Sequence, residues 1–153
     1  LRISRMKVPT LEIENRVFTP GKAERVRDGS DVTIIANGTT VHLADTAAAQ
    51  LAQSGISARV LNMHTIAPLD EAAVARAAEE TGAIVTVEEA LVRGGLGGAV
   101  AEFTSATRPV PVERVGFPGF MPTGSVDYLF GEFGLSEAGI AEAARRALNR
   151  KPG

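Results

Sequence analysis

The stretch that most constrains what this chain can fold into runs over residues 83–100, Ala-Ile-Val-Thr-Val-Glu-Glu-Ala-Leu-Val-Arg-Gly-Gly-Leu-Gly-Gly-Ala-Val. It opens with a short apolar, β-branched run at 83–87, the pattern of a strand buried on both faces in a parallel sheet. Glu88 and Glu89 stand where that strand is expected to end. Gly94, Gly95, Gly97 and Gly98 follow, and an apolar run at 99–103 starts a helix. Strand, polar corner, glycine turn and helix make the half-unit of a doubly wound α/β sheet, whose pockets form at the carboxyl ends of the strands.

The rest of the chain repeats that rhythm. Val32–Ala36 reads as a strand ending at Asn37-Gly38, after which Thr39 or Thr40 can cap a helix running to Gly55. Its apolar stripe is Ala44, Ala47, Ala48, Leu51 and Ala52, and Gly55 suits the residue just past the helix end. A strand is expected over 58–63. A helix capped by Asp70 follows, with Leu69 able to staple to Val74, and it stops at Thr81-Gly82. A fourth core strand falls at 110–115, with Pro111 at its entry or edge. Helices over 125–133 and 136–148 close the chain, the latter capped by Ser136 with Leu135 opposite Ile140. Alternation of this kind implies a three-layer α/β/α sandwich around a mostly parallel, Rossmann-like sheet of about five strands. A short strand at 22–26 joins an edge antiparallel. The strand order is expected to reverse between the first and third core strands, so that residues 38–42 and 88–98 face one crevice.

Residues 1–20 read differently. Leu1 to Ser4 alternates apolar and polar, and Pro9 forces the chain to stay extended. The sequence begins at Leu1 in the middle of something strand-like, so we read 1–20 as the tail of a preceding domain plus its connector, and expect the beginning to be missing. With 153 residues the chain is one domain in size. It has no cysteine, which excludes disulfides and thiolate chemistry and fits a cytoplasmic protein. A net charge of −2 gives no general attraction to nucleic acid or anionic lipid, and no apolar run reaches bilayer length.

Each candidate site has a plainer reading beside it. The glycine turn can cradle a phosphate at a helix N-terminus, but its sequence is neither the dinucleotide fingerprint nor a Walker A loop, and Glu88 and Glu89 would repel an anion. A tight turn allowing close helix packing is preferred. The two glutamates can form an acid/base pair, yet neighbouring strand residues point to opposite faces. One buried carboxylate bonding a nearby loop's amides is the better use. His42 and His64 stand near strand ends without a nucleophile or metal-ligand neighbour, and His64 reads as a hydrogen-bonder shaping the corner before Pro68. Arg5, at the end of the first alternation, can reach an anion bidentately. Residues 116–124 are rich in Pro, Gly and aromatics. With Phe117, Phe120, Met121 and Tyr128 they make an apolar cluster that we read as an interface.

Several of these segments together resemble a known family. Residues 21–35 (Gly-Lys-Ala-Glu-Arg-Val-Arg-Asp-Gly-Ser-Asp-Val-Thr-Ile-Ile) look like the start of the C-terminal domain of transketolases and related thiamine-diphosphate enzymes. Residues 62–70 (Asn-Met-His-Thr-Ile-Ala-Pro-Leu-Asp), Val87-Glu88-Glu89 with Gly94-Gly95-Leu96-Gly97, residues 111–116 and Phe133-Gly134-Leu135 match in order. The likeness covers nearly the whole chain and is greatest to the small subunit of split transketolases. The beta subunits of 2-oxoacid dehydrogenases and 1-deoxyxylulose-5-phosphate synthase share the domain and are the nearer alternatives. A stand-alone module binding a small anion or nucleotide in the crevice of Gly38, His42, Glu88, Glu89, Gly94 and Gly95 is the alternative of another class. The resemblance implies a chain divided at residue 20, with the tail of a pyrimidine-binding domain before it and the C-terminal domain over 21–153. It implies thiamine diphosphate and Mg2+ in the complete enzyme, held between the two preceding domains and not by this one, and no catalytic or metal-ligating residue here. Its implied partners are a cofactor-binding N-terminal domain or subunit and the chain's own pyrimidine-binding domain, in a homodimer or heterotetramer. Arg5 falls on the family's arginine that contacts the sugar phosphate. Residues 117–124 depart from the family's Asp-Arg-Phe-Gly-Glu-Ser-Gly type of loop, which leaves the sugar and the subfamily open.

Overall fold

A computed structural model describes residues 3–13 and 16–152. The elements in chain order are β1 (Glu24–Arg27), β2 (Val32–Ala36), α1 (Val41–Gln53), β3 (Ala58–Asn62), α2 (Glu71–Glu80), β4 (Ile84–Leu91), α3 (Leu96–Thr107), β5 (Val112–Phe117), α4 (Val126–Glu132) and α5 (Glu137–Asn149). They form one five-stranded sheet in the order β1-β3-β2-β4-β5. β2, β3, β4 and β5 run parallel, and β1 joins the β3 edge antiparallel. The sheet is thus the expected α/β sandwich, and its order reverses between β2 and β4, the first and third core strands.

Period-two alternation divides the core into two layers. Val32, Ile34, Ala36, Val60, Val85 and Val87 face α1 and α5, while Ile35, Leu61 and Ile84 face α2 and α3. Full burial of a residue such as Ile34 or Leu51 contributes about 1.5–3 kcal/mol. Alanine dominates the buried faces of α1 and α5 (Ala44, Ala47, Ala48; Ala141, Ala143, Ala144, Ala147), which lets these two helices lie close to each other and to the sheet.

Helix boundaries follow side-chain chemistry. The Asp70 carboxylate accepts from Ala73 N–H at the start of α2, and Ser125 and Ser136 cap α4 and α5 in the same way. Leu69 and Val74 meet in one apolar layer, as Leu135 and Ile140 do in the other. α1 ends in a Schellman turn: Gly55, at φ +77°, donates to Ala52 O, and Ile56 donates to Leu51 O.

The structure corrects five local expectations. Neither threonine caps α1 with its side chain; a single 3-10 turn (Gly38–Thr40) precedes the helix, and Thr40 Oγ1 donates instead to Asn37 O and Val87 O, both 2.9 Å away. Ala52 faces solvent, one position beyond the stripe that α5 covers. β1 and β5 each lie about two residues later than expected. β4 does not stop at residue 87 but runs through both glutamates to Leu91, with an irregularity in its pairing to β5 between Val87 and Leu91. Ile3 and Ser4 lie outside any strand; Leu1 and Arg2, the other half of that alternation, lie outside the described residues.

Candidate functional site

Because β4 continues through the corner, Glu88 and Glu89 point to opposite faces. Glu88 is 1% exposed. Its Oε2 accepts from Leu96 N–H at 2.9 Å and its Oε1 from Gly97 N–H at 2.7 Å. These are orphan amides of the first turn of α3, where a carboxylate also complements the helix dipole. Gly95 is required because a Cβ there would strike the Glu88 carboxylate, and Gly94 makes the turn at φ +74°. The glycine turn is therefore a seat for the chain's own carboxylate, and the amides an external phosphate would need are taken. On the other face Glu89 Oε2 accepts from Thr39 Oγ1 at 2.6 Å, tying the segment after β2 to β4 across the reversal point.

A cavity of about 380 Å3 opens beside this point on the β3 side, under the strap of residues 8–13. Gly38 and His42 line it as expected of a crevice at the strand ends, together with His64, Asn62, Glu24 and Arg16. Glu88, Glu89, Gly94 and Gly95 do not line it, so the structure divides the crevice residues between two places. Arg16 donates to Glu24 through Nε (2.6 Å) and Nη2 (2.9 Å), and Asn62 Nδ2 donates to Glu24 Oε2 at 3.1 Å. His42 Nδ1 and Asn62 Oδ1 are buried without a partner. Sequence reading passes over Arg16, Glu24 and Asn62. The one available signal is the Pro20-Gly21 turn, which folds residue 16 back toward residue 24.

His64 Nδ1 lies 2.9 Å from Thr65 Oγ1 and its ring packs on Phe18, with centroids 4.5 Å apart. Thr65 Oγ1 in turn accepts from Gly21 N–H, so His64 joins a corner that holds the end of the strap. Asp70 completes that corner, accepting from Ala23 N–H at 2.9 Å, with Lys22 Nζ at 3.5 Å. Burial pushes the Asp70 carboxyl pKa up, but the amides of Ala23 and Ala73 and the Lys22 ammonium outweigh it, holding the group below its ordinary value. Arg5 is exposed and is not among the residues lining the cavity.

The aromatic loop divides as well. Phe117 folds inward, its ring 6.3 Å from that of Phe130 and 5.9 Å from that of Phe133. Phe120 is fully exposed and Tyr128 is 54% exposed, while Met121 is half-buried. Among the described residues no group of three or more His, Cys, Asp or Glu side chains is placed to hold a metal ion.

The family described as "Transketolase, C-terminal domain" matches residues 21–140. A 6-deoxy-6-sulfo-D-fructose transketolase subunit from Clostridium sp. is 47% identical over 152 residues, covering 99% of this chain and 47% of that protein. A subunit of an apulose-4-phosphate transketolase from Phocaeicola vulgatus is 44% identical over 146 residues, covering 94% of this chain and 46% of that protein. Among solved structures, a split-gene transketolase described as an inactive beta4 tetramer superposes with a TM-score of 0.92 at 37% identity, over 97% of this chain and 49% of that one. The chain thus spans about half the length of the curated relatives it matches.

Proposed function

Since this chain belongs to the transketolase C-terminal domain family, we propose that it is the C-terminal section of a split transketolase, an assembly domain for transfer of a two-carbon ketol unit between anionic sugars. The observation that carries this reading is 47% identity over 99% of the chain to a transketolase subunit twice as long. In such an enzyme thiamine diphosphate supplies the carbanion chemistry, and the protein binds and orients. The residues described here do not fit that group or its metal as holders. The amides of the glycine turn are taken by Glu88, and the His and carboxylate side chains do not converge on one point. No step of the reaction is therefore assigned to this chain through the cofactor.

The role left to it is packing and one substrate contact. Residues 1–20 would end a pyrimidine-binding domain, and 21–153 would dock on it and on a second subunit through Phe120 and Tyr128. The similar solved chain, an inactive tetramer of beta subunits, supports dependence on a partner that brings the rest of the cofactor site. Arg5 would hold the anionic end of the sugar. The substrates in the names of both relatives carry such a group, a sulfo group in one and a phosphate in the other, and a guanidinium binds either bidentately.

The test is turnover by the purified chain with xylulose 5-phosphate, ribose 5-phosphate, thiamine diphosphate and Mg2+, alone and after addition of the missing domains. Sulfofructose, apulose 4-phosphate and a 2-oxoacid serve as alternative donors. Activity only in the mixture, with a raised KM for the anionic sugar in Arg5→Ala of the full-length subunit, is the expected result. Turnover by this chain alone, or turnover of the 2-oxoacid in preference to every sugar, would overturn it.

A further inference from the structure

A second, smaller hollow lies on the α2 face of the sheet edge. It measures about 90 Å3 and is lined by Ala23, Arg25, Arg59, Leu61, Ala73 and Arg76, sharing no residue with the cavity under the strap. The pairing of β1 with β3 explains why three arginines meet there. Arg25 sits opposite Leu61, so their side chains share a face, and Arg59 lies two residues before Leu61 on the same side of β3. Arg76, on α2, closes the hollow from above.

Charge in this hollow is under-compensated. Arg59 Nη1 pairs with Glu80 Oε2 at 2.6 Å, and Arg25 Nη1 pairs with Asp28 Oδ1 at 2.8 Å. Both carboxylates stand outside the lining, Glu80 about half exposed and Asp28 more so. Arg76 makes no ion pair with any described residue, which leaves three guanidiniums against two peripheral carboxylates. The Arg59 side chain is only 13% exposed, and its Nε–H is buried with no acceptor. A buried donor of a charged group left unmade is costly, and native structures rarely leave one. Glu80 and Asp28 each hold one of these guanidiniums in place, which lowers the ordering cost of a bound anion.

We propose that Arg25, Arg59 and Arg76 form a binding site for a single oxyanion group, a phosphate or a chemically equivalent sulfonate or sulfate, seated between their guanidiniums. Guanidinium forks match the oxygens of such groups in plane and spacing, and nothing in the lining is negative. The volume takes the anionic head of a small molecule and leaves no room for a nucleoside. The site does not depend on the reading of the chain as a transketolase section, because it is tested by binding.

The experiment titrates the chain with inorganic phosphate, with ribose 5-phosphate and with chloride at matched ionic strength, following the arginine Nε–Hε resonances by NMR and affinity by calorimetry. Phosphate should shift the Arg59 Nε–H signal saturably where chloride does not. Arg76→Gln, on an exposed helix position, should weaken binding about tenfold or more, as loss of one charge-assisted contact implies. Arg25→Gln should act likewise, and both variants should keep the parent's melting temperature in chloride. Tighter binding of the sugar phosphate than of inorganic phosphate would support the site and identify an ester as its occupant; the reverse order would support it with the free anion as occupant. No saturable shift of Arg59 at millimolar phosphate, or binding that neither variant weakens, would overturn the proposal.

Discussion

The Glu88 carboxylate on β4 caps the helix that follows it: Oε1 lies 2.7 Å from Gly97 N and Oε2 2.9 Å from Leu96 N, with the side chain sealed from solvent. One buried charge thus closes strand, turn and helix into a unit at the reversal of the sheet. Glu88→Gln puts an NH2 against one of those two N–H donors and leaves a donor unmade. It should cost about 2–3 kcal/mol of unfolding free energy, the range for a lost bond to a buried charged group. Urea unfolding checks this, and a loss below about 0.5 kcal/mol would sink the cap reading.

The glycines of the turn predict opposite signs. A Cβ at Gly95 would collide with the Glu88 carboxylate, whereas a Cβ at Gly98, inside α3, meets nothing within 4 Å beyond its own helix. Gly95→Ala should destabilise by about 2 kcal/mol or more by displacing the cap. Gly98→Ala should stabilise by up to about 1 kcal/mol, the difference in helix propensity. Thermal melts of the two variants side by side decide the matter, and like signs would count against it.

How much of this is legible in the sequence depends on whether the determinant is local. Asp70, Ser136 and Gly55 act within four residues of themselves, and each does in the structure what its sequence position implies. The reversal between β2 and β4 follows by analogy with open α/β sheets and is found. The extension of β4 to Leu91 is not readable, because it is set by pairing with β5 and by a carboxylate whose partners lie eight and nine residues on. The cavity escapes for the same reason: Arg16, Glu24 and Asn62 are brought together by the edge strand and a strap without periodicity. The three arginines of the smaller hollow are polar positions on strand and helix. They look like solvated faces until the antiparallel register of β1 places them together.

Phe117 and Phe120, three residues apart, should respond differently to truncation. Phe117 packs on Phe130 and Phe133, so Phe117→Ala should cost about 2–3 kcal/mol, somewhat under the value for a full core phenylalanine because it is only partly buried. Phe120→Ser touches a fully exposed ring and should leave chain stability within about 0.5 kcal/mol. If the loop is an assembly surface, Phe120→Ser should weaken association in sedimentation with the partner subunit while the melt of the chain alone stays put. An unchanged association constant would remove Phe120 from the interface.

Asp70 gives the chain a defined acid sensitivity. Its Oδ2 accepts from Ala23 N–H and its Oδ1 from Ala73 N–H, and these bonds hold its pKa below the ordinary value of about 3.9. Between the lowered value and about 3.9 the unfolded chain binds more protons than the folded one, so stability rises with pH across that window. The contribution is complete about one unit above the unfolded value, at about pH 5, and is lost as pH falls through the folded value. Asp70→Asn keeps one accepting oxygen and turns an NH2 toward the other amide, so at pH 7 it should cost about 1–2 kcal/mol. The gap between variant and parent should then close as the pH is lowered below about 4, because protonation disables the parent's carboxylate. Added salt should change little, since Lys22 is largely exposed and its attraction already screened, while the amide bond from Ala73 is buried and that from Ala23 partly so. Urea unfolding of both proteins from about pH 7 to about pH 2.5 measures the gap directly. A gap that stays constant across that range would show that the charge on Asp70 is irrelevant and that only its shape caps α2.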